Sequence, residues 1–555
     1  MTSRVLQVEV RTVPSTAFDG QKPGTSGLRK KVKVFAQPHY LENFVQAVFD
    51  VVPDRGLLVI GGDGRYHNDV AIQTILRMAV ANGFEHLMIG EGGILSTPAV
   101  SHLVRKFGAM GALILSASHN PAGPNEDFGI KFNNASGAPA PESITSAIYQ
   151  RTRQIDHYRI ADVPELALTK GASVEVDIGA PLKTRIDVVS SVEDYVALMK
   201  TLFDFDALRA GFADGRLSLC FDAMHAVTGP YAKAVFEAVL GAAPGSLMNA
   251  VPEPDFGGGH PDPNLVHAQD LIQRMARKDA PILGAASDGD GDRNLVLGKE
   301  CFISPSDSLA TIAHHATQIP QFSHGLSGVA RSMPTSTALD RVALRLGIPC
   351  YETPTGWKYF GNLLDAGKIN LCGEESFGTS GDHVREKDGI WAVLCWLTLI
   401  LKTGKTPQQL LVDLWQTDGR SYYCRHDFEG IPTEKADALM AQLTESVQHG
   451  DVGSVVPFEL ANADVFCYTD PIDHSVSDHQ GVRVVMRCGS RILFRLSGTG
   501  TDSATLRVYL EKVEPAQSSA LLEDTLTITE PLRKLAMRIA DIEKFTGMTR
   551  ATVVT

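Results

Sequence analysis

Cysteine is sparse in this sequence and never paired at short range. Eight cysteines are scattered over 555 residues and no C-x-x-C occurs, which argues against a disulfide framework and for reduced thiols in a cytosol. Long apolar runs are missing too. The longest, Ile390 to Leu401 between Gly389 and Lys402, is too short to span a bilayer and reads as a buried helix. Met1 to Pro23 holds no apolar stretch of the signal-peptide kind, so no secretory leader is expected. Positive charge is in deficit. The net charge of −13 repels nucleic acid and anionic membrane, although a local cluster of Arg and Lys can invert the field inside a cleft. Low-complexity tracts and visible internal repeats are absent. No G-x-S-x-G surrounds Ser118, and Gly404-Lys405-Thr406 lacks the leading glycine of a Walker A loop, where Leu399 stands.

What remains is an ordinary globular composition, 44% hydrophobic and 21% charged, long enough for about three to four domains. Strand and helix signals alternate early. Leu57-Leu58-Val59-Ile60 runs as a strand into Gly61-Gly62-Asp63-Gly64. A helix follows from Asn68 to about Ala81 with Gly83 as its stop, then a strand at His86–Ile89. Ser96-Thr97-Pro98 opens another helix, and Leu113–Leu115 is a third strand. This pattern predicts crossover units in a largely buried sheet. A polar stretch from Ala172 to Arg185 reads as a boundary. Helical starts follow at Val192–Tyr195 and Pro305–Asp307, a further α/β segment begins at Val329–Arg331, and the character shifts after Thr417-Asp418-Gly419 toward alternating strands such as Val482–Met486.

Two loops carry most of the chemistry. The buried run Pro281–Ala286 ends in Asp288-Gly289-Asp290-Gly291-Asp292-Arg293. Glycines let this loop curl so that three carboxylates converge. Clustered carboxylates repel unless a cation sits between them, and all-oxygen ligation suits a hard divalent ion such as Mg²⁺. An EF-hand beginning at Asp288 would need Gly at Arg293 and Glu at Lys299, so that reading fails. The second loop, Ser116-Ala117-Ser118-His119-Asn120-Pro121, again follows an apolar strand and continues to Lys131. Ser118 and His119 are neighbours and would face opposite ways in extended chain, a poor serine–histidine dyad. A phosphoryl group on Ser118 could give the metal a fourth ligand.

These two loops resemble the phosphoserine and metal loops of the α-D-phosphohexomutases. Gly373-Glu374-Glu375-Ser376-Phe377-Gly378 resembles that family's sugar-recognition loop, and Arg495-Leu496-Ser497-Gly498-Thr499-Gly500 its distal phosphate loop. Order and spacing fit from Lys22–Arg29 to Arg507. Thr353–Lys358 and Arg385–Gly389 resemble the glucose-specific, eukaryotic-type phosphoglucomutase branch. The resemblance implies an α/β fold of four domains around a central cleft, at 1–190, 191–305, 306–420 and 421–555. The first three would share one mixed topology, and the fourth would be a smaller α+β domain.

The resemblance also implies roles. Ser118 would be the phosphorylated nucleophile and, with Asp288, Asp290 and Asp292, would hold one Mg²⁺. Arg293 and Arg29 would clamp the phosphoryl group. Lys131 or His119 would be the acid/base; Lys131 needs burial or positive neighbours, such as Arg29, Lys22 and Arg293, to titrate near neutrality. Glu374 and Ser376 would read sugar hydroxyls beside Thr355 and Gly356, with Lys387, and also His383 and Arg385, on the pocket's edge. Ser497, Gly498 and Thr499 form an anion nest flanked by the forks of Arg495 and Arg507. The implied reaction interconverts glucose 1-phosphate and glucose 6-phosphate through glucose 1,6-bisphosphate, which serves as both intermediate and activator. The alternatives are a mannose-preferring or dual-specificity mutase and, more remotely, a non-catalytic paralogue. The expected partners are small hexose phosphates, with neither nucleic acid nor membrane, in a cytoplasmic monomer or weak homo-oligomer.

Overall fold

Leu57–Gly62 is apolar on both of its faces, so it needs cover on both sides. In the computed structural model, which describes residues 4–24, 26–179, 183–497 and 503–555, it lies inside an eight-stranded sheet. Its parallel neighbours are His86–Ile94 and Gly111–Leu115. Helices pack beside it. Asn68–Ala81 runs between the first two of these strands, and Gly83 beyond it takes φ 80°. Thr97–Phe107 starts with Pro98 in its first turn and the Ser96 hydroxyl accepting from Ala99 N at 3.3 Å. The stretch expected to be a boundary, Ala172–Arg185, instead supplies two strands of this sheet, Ser173–Asp177 and Thr184–Val189. Val174 and Val176 alternate with polar residues there, the mark of a strand with one wet face.

The same four-strand unit occurs three times. Its first strand is central, its second and third lie parallel on either side, and its fourth returns antiparallel beside the third. In the first sheet the unit is Leu57–Gly62, His86–Ile94, Gly111–Leu115 and Asp127–Asn134. In the second sheet it is Leu219–Asp222, Leu247–Met248, Leu283–Ala286 and Leu295–Gly298. In the third it is Val329–Ser332, Cys350–Thr353, Leu371–Glu374 and Gly378–Gly381. The connections from third to fourth strand are residues 116–126, 287–294 and 375–377. Each carries one of the loops singled out above, so one topological position is used for three chemistries.

The fourth sheet differs. Its six strands, from Leu460–Val465 to Val553–Val554, pair antiparallel throughout. Helices Thr433–Gln448 and Thr525–Ile539 pack on it. The second and third sheets share one core around the helix Gly389–Thr403, which is apolar all round and therefore buried all round, with Trp391 and Trp396 wholly enclosed. Gly404 ends it at φ 67°. Among the described residues no helix is long and apolar enough to cross a membrane.

The third and fourth sheets are joined through Glu511. Its Oε2 meets Arg491 Nη2 at 2.7 Å, while Oε1 accepts from Thr337 N at 2.8 Å, Thr337 Oγ1 at 2.6 Å and Ser421 Oγ at 2.7 Å. Burial alone would raise this carboxyl, but Arg491, Arg341 and the hydroxyls outweigh it and hold it at about 2, against 4.5 unperturbed. A depressed carboxylate stabilises the fold fully above its unfolded pKa and loses that contribution as pH falls toward its folded one. Glu511→Gln should therefore melt lower at neutral pH, and its melting temperature should depend less on pH between 4.5 and 2. Parallel pH profiles for variant and wild type would contradict this.

Candidate active site

The aspartate loop closes over the serine loop. Asp288, Asp290 and Asp292 are all buried, and one carboxylate oxygen from each lies within 4.8 Å of the others. Ser118 Oγ donates to Asp288 Oδ2 at 2.8 Å. The other oxygen of Asp288 accepts from the backbone N–H groups of Asp292 and Arg293, both at 3.0 Å. Asp290 Oδ2 accepts from Thr97 Oγ1 at 2.6 Å and from Lys131 Nζ at 3.0 Å. Asp292 Oδ2 pairs with Lys387 Nζ at 2.8 Å. Asp290 Oδ1 and Asp292 Oδ1 are buried with no hydrogen-bond partner. Burial pushes the Asp288 carboxyl well above its ordinary range, and Asp292 and Asp290 add to the push. Burial acts on Asp290 in the same direction, but Lys131, the Thr97 hydroxyl and Lys387 overcome it and keep it ionised. Hard oxygen donors, two of them orphaned, fit a divalent cation.

Glycine is required at two points here. Gly291 takes φ 79°. A Cβ on Gly289 would sit 2.4 Å from the carbonyl oxygen of Ser118, so only glycine lets the loops approach this closely.

Ser118 itself has φ 53°, a left-handed turn rather than extended chain. His119 Nδ1 consequently lies 3.4 Å from Ser118 Oγ instead of facing away, although the hydroxyl proton goes to Asp288. Burial, Arg293 and Arg29 hold His119 well below its usual pKa, so its imidazole is neutral. Lys131 departs from expectation. Lys22 is exposed, and the nearest charges to Lys131 are carboxylates: burial opposes its charge, but Asp290, Glu386 and Asp292 raise its pKa. Arg29 is also drawn into this field, with burial lowering it and Asp290 raising it. Arg293 Nη1 lies 3.6 Å from Asp262, while its Nε is buried without a hydrogen-bond partner.

The sugar-loop candidates gather beside this centre. Glu374 Oε1 accepts from Gly356 N at 2.8 Å, and burial raises its pKa. Thr355 Oγ1 is buried and unpartnered. Ser376 lies on the adjoining connection, half-buried. Lys387 passes tightly under Gly378 to reach Asp292 and lies 5.6 Å from the centre of the Trp357 ring. It thus ties the third unit to the aspartate loop. Phe377 strengthens that tie: it sits at φ 67° and accepts from Asn294 N at 2.8 Å. His383 and Arg385 do not edge the pocket. His383 is enclosed against Asp388 at 3.0 Å, and Arg385 is paired with Asp365 at 2.5 Å.

Arg495 and Arg507 stand directly opposite each other on adjacent antiparallel strands. Like charges in that register repel unless an anion or a carboxylate lies near. Arg495 donates to Gln480 O at 3.2 Å and Tyr509 Oη at 3.4 Å; burial opposes its charge, while Tyr509, Glu375 and Glu374 support it. Arg507 Nε is buried, with no hydrogen-bond partner among the described residues. Ser497 pairs with Thr505, whereas Gly498 and Thr499 lie outside the described residues.

Four family profiles match the chain. Three describe phosphoglucomutase/phosphomannomutase α/β/α domains I, II and III, at residues 20–159, 193–300 and 305–417. The fourth describes the phosphoglucomutase-1 C-terminal domain, at 420–552. The chain belongs to the phosphoglucomutase/phosphomannomutase family. A phosphoglucomutase of Rhizobium radiobacter is 51% identical, covering 98% of this chain and 100% of the relative. A cytoplasmic phosphoglucomutase of Pisum sativum is 49% identical, covering 98% and 99%. Among solved structures, the exocytosis-sensitive phosphoprotein parafusin, a phosphoglucomutase from Paramecium in an open form, superposes with a TM-score of 0.92 at 46% identity over 100% of both chains.

In this member of the phosphoglucomutase/phosphomannomutase family, sequence reasoning missed Asp63 and Arg65, the hydroxyl of Thr97, Glu386, Asp262 and Phe377. The only signal for the first two was charge at the end of a wholly apolar strand. Gly289→Ala should abolish turnover while changing no polar group, because the new methyl separates the two loops. Thermal melting and steady-state kinetics check this together; a folded Gly289→Ala protein with wild-type turnover would contradict it.

Proposed function

We propose that this chain interconverts glucose 1-phosphate and glucose 6-phosphate, carrying the phosphoryl group on Ser118 and passing through glucose 1,6-bisphosphate. One observation carries the reading: the Ser118 hydroxyl is bonded at 2.8 Å to a buried carboxylate trio that has oxygens to spare. Relatives named phosphoglucomutase, at 51% and 49% identity over nearly the whole chain, support glucose over mannose.

Asp288, Asp290, Asp292 and a phosphoryl oxygen on Ser118 would hold one Mg²⁺, which when bound would offset charge developing on the transferring group. In transfer, the bond from phosphorus to Ser118 Oγ breaks as one forms to a hexose hydroxyl; that hydroxyl's proton passes to His119, kept neutral, and Ser118 Oγ takes a proton from Lys131, kept charged by Asp290. Arg29 and Arg293 bind the phosphoryl oxygens. Glu374 accepts from sugar hydroxyls, with Ser376, Thr355, Gly356 and Lys387 around the ring. Arg495, Arg507, Ser497 and, by resemblance, Gly498 and Thr499 hold the spectator phosphate. The bisphosphate then turns over within the cleft, exchanging its two ends. Family profiles beginning at 193, 305 and 420 support domain divisions at 190, 305 and 420. We place the protein in the cytoplasm; its relatives include cytoplasmic and chloroplastic enzymes.

The purified protein should carry one phosphate adduct by intact mass. Ser118→Ala should lack the adduct and lose steady-state turnover of glucose 1-phosphate, while wild type should prefer glucose 1-phosphate to mannose 1-phosphate in a coupled assay. Near-wild-type turnover in Ser118→Ala would contradict the phosphoserine route, and equal specificity constants would contradict the glucose assignment.

A further inference from the structure

Ser118 keeps a left-handed backbone, φ 53°, which a residue with a side chain adopts only when its surroundings enforce it. The enforcing groups are visible on both sides. Ser118 N donates to Ser116 Oγ at 2.7 Å, and Ser118 O accepts from Arg65 Nη2 at 2.7 Å. Ser116 has one hydroxyl proton, and it goes to Asp63 Oδ2 at 2.6 Å. That bond turns the hydroxyl's lone pairs toward Ser118 N. Asp63 also receives Arg65 Nε through both oxygens, at 3.1 and 2.9 Å. The remaining arm, Arg65 Nη1, donates to Asp127 O at 2.9 Å, at the far end of the same loop. Both side chains of this ion pair are wholly enclosed.

A buried ion pair is tolerated only when its hydrogen-bonding capacity is used. Here it is used on the carbonyls of the serine loop, and Arg65 donates to none of the three aspartates. The Phe256 ring, from a loop of the second unit, lies 5.2 Å from the guanidinium carbon. A Cβ on Gly289 would come within 3.3 Å of Arg65 Nη2 and 2.4 Å of Ser118 O. The guanidinium therefore fixes one carbonyl at the seam where the serine and aspartate loops meet.

We infer that Asp63, Arg65 and Ser116 form a positioning unit that holds Ser118 in its left-handed turn and so aims Oγ at the carboxylate trio. This rests on the proposed role of Ser118 as phosphoryl carrier. None of the three touches substrate; they act through the nucleophile's backbone. Lysine at 65 would keep the charge beside Asp63 and lose the fork that reaches both ends of the loop.

The test compares full-length wild type with Ser116→Ala, Arg65→Lys and Asp63→Asn. Three quantities are measured: kcat and KM for glucose 1-phosphate, the rate at which glucose 1,6-bisphosphate phosphorylates Ser118 by intact mass, and the melting temperature. Ser116→Ala removes one oxygen from the loop, so it keeps the test sound should the charge variants fold poorly. The unit predicts a fall in kcat of about tenfold to a hundredfold, the scale for a misplaced reacting group. KM should stay within about twofold, well under the tenfold that about 1.4 kcal/mol brings. The rate of Ser118 phosphorylation should fall in step with kcat. Folded Ser116→Ala and Arg65→Lys with wild-type kcat would overturn the inference. So would losses that only track the unfolded fraction, or losses confined to KM. A wild type that neither carries phosphate nor turns over glucose 1-phosphate would instead defeat the functional reading beneath it.

Discussion

The mutual repulsion of three buried carboxylates is the constraint around which this protein is arranged. Two like charges about 4 Å apart repel by about 4 kcal/mol at an effective dielectric of about 20, and the oxygens of Asp288, Asp290 and Asp292 lie within 4.8 Å of one another. Burial removes the water that would soften this. The chain supplies Lys131 against Asp290, Lys387 against Asp292, and the Ser118 hydroxyl with two backbone N–H groups against Asp288. It leaves two oxygens without protein partners. A divalent cation relieves what remains, and the place where it would sit is the place to which Ser118 points. The same field sets the neighbouring groups: Lys131 remains charged because its closest neighbours are carboxylates, and His119 remains neutral because its own include Arg293 and Arg29.

Bringing that centre together requires three separate sheets to deliver their loops to one point. The repeated unit does so by ending its third strand in a variable connection and returning through an antiparallel fourth. The first unit places Ser118, the second the three aspartates and the third the candidate sugar loop around Glu374 and Ser376. The seams between them are narrow and specific. Gly289 allows contact between the first two loops, while Lys387 and Phe377 lock the third to the second. The antiparallel fourth sheet sets Arg495 and Arg507 side by side and is joined to the third sheet through Glu511. The bisphosphate proposed above would meet cationic groups at both the serine loop and this arginine pair.

Strands ending in charged or glycine-rich loops were plain in the sequence, because a buried parallel strand must be apolar throughout and its polar exit stands out. The helix Asn68–Ala81 and the enclosed helix Gly389–Thr403 were legible for related reasons: one shows a start and a stop, and the other is apolar all round. Ser173–Asp177 was not, because a strand with a wet face reads as polar linker. The threefold repeat was implied by the resemblance but invisible in residue patterns, because the units share topology and not residues. Ser118's left-handed turn was also hidden, since no glycine marks it, and the Asp63–Arg65 pair reads locally as turn chemistry while its partners lie beyond residue 115. The positive field expected around Lys131 failed for the same reason: charge neighbours in a cleft come from distant segments.

If the trio and Ser118 form one cation site, calorimetric titration of Mg²⁺ into the dephosphorylated chain and into the chain phosphorylated on Ser118 should show one ion per chain. That ion should bind more tightly to the phosphorylated form, because a phosphoryl oxygen joins the carboxylates, and weakly to Asp290→Asn in either form. Absence of binding in both forms, or an Asp290→Asn isotherm matching wild type, would contradict it.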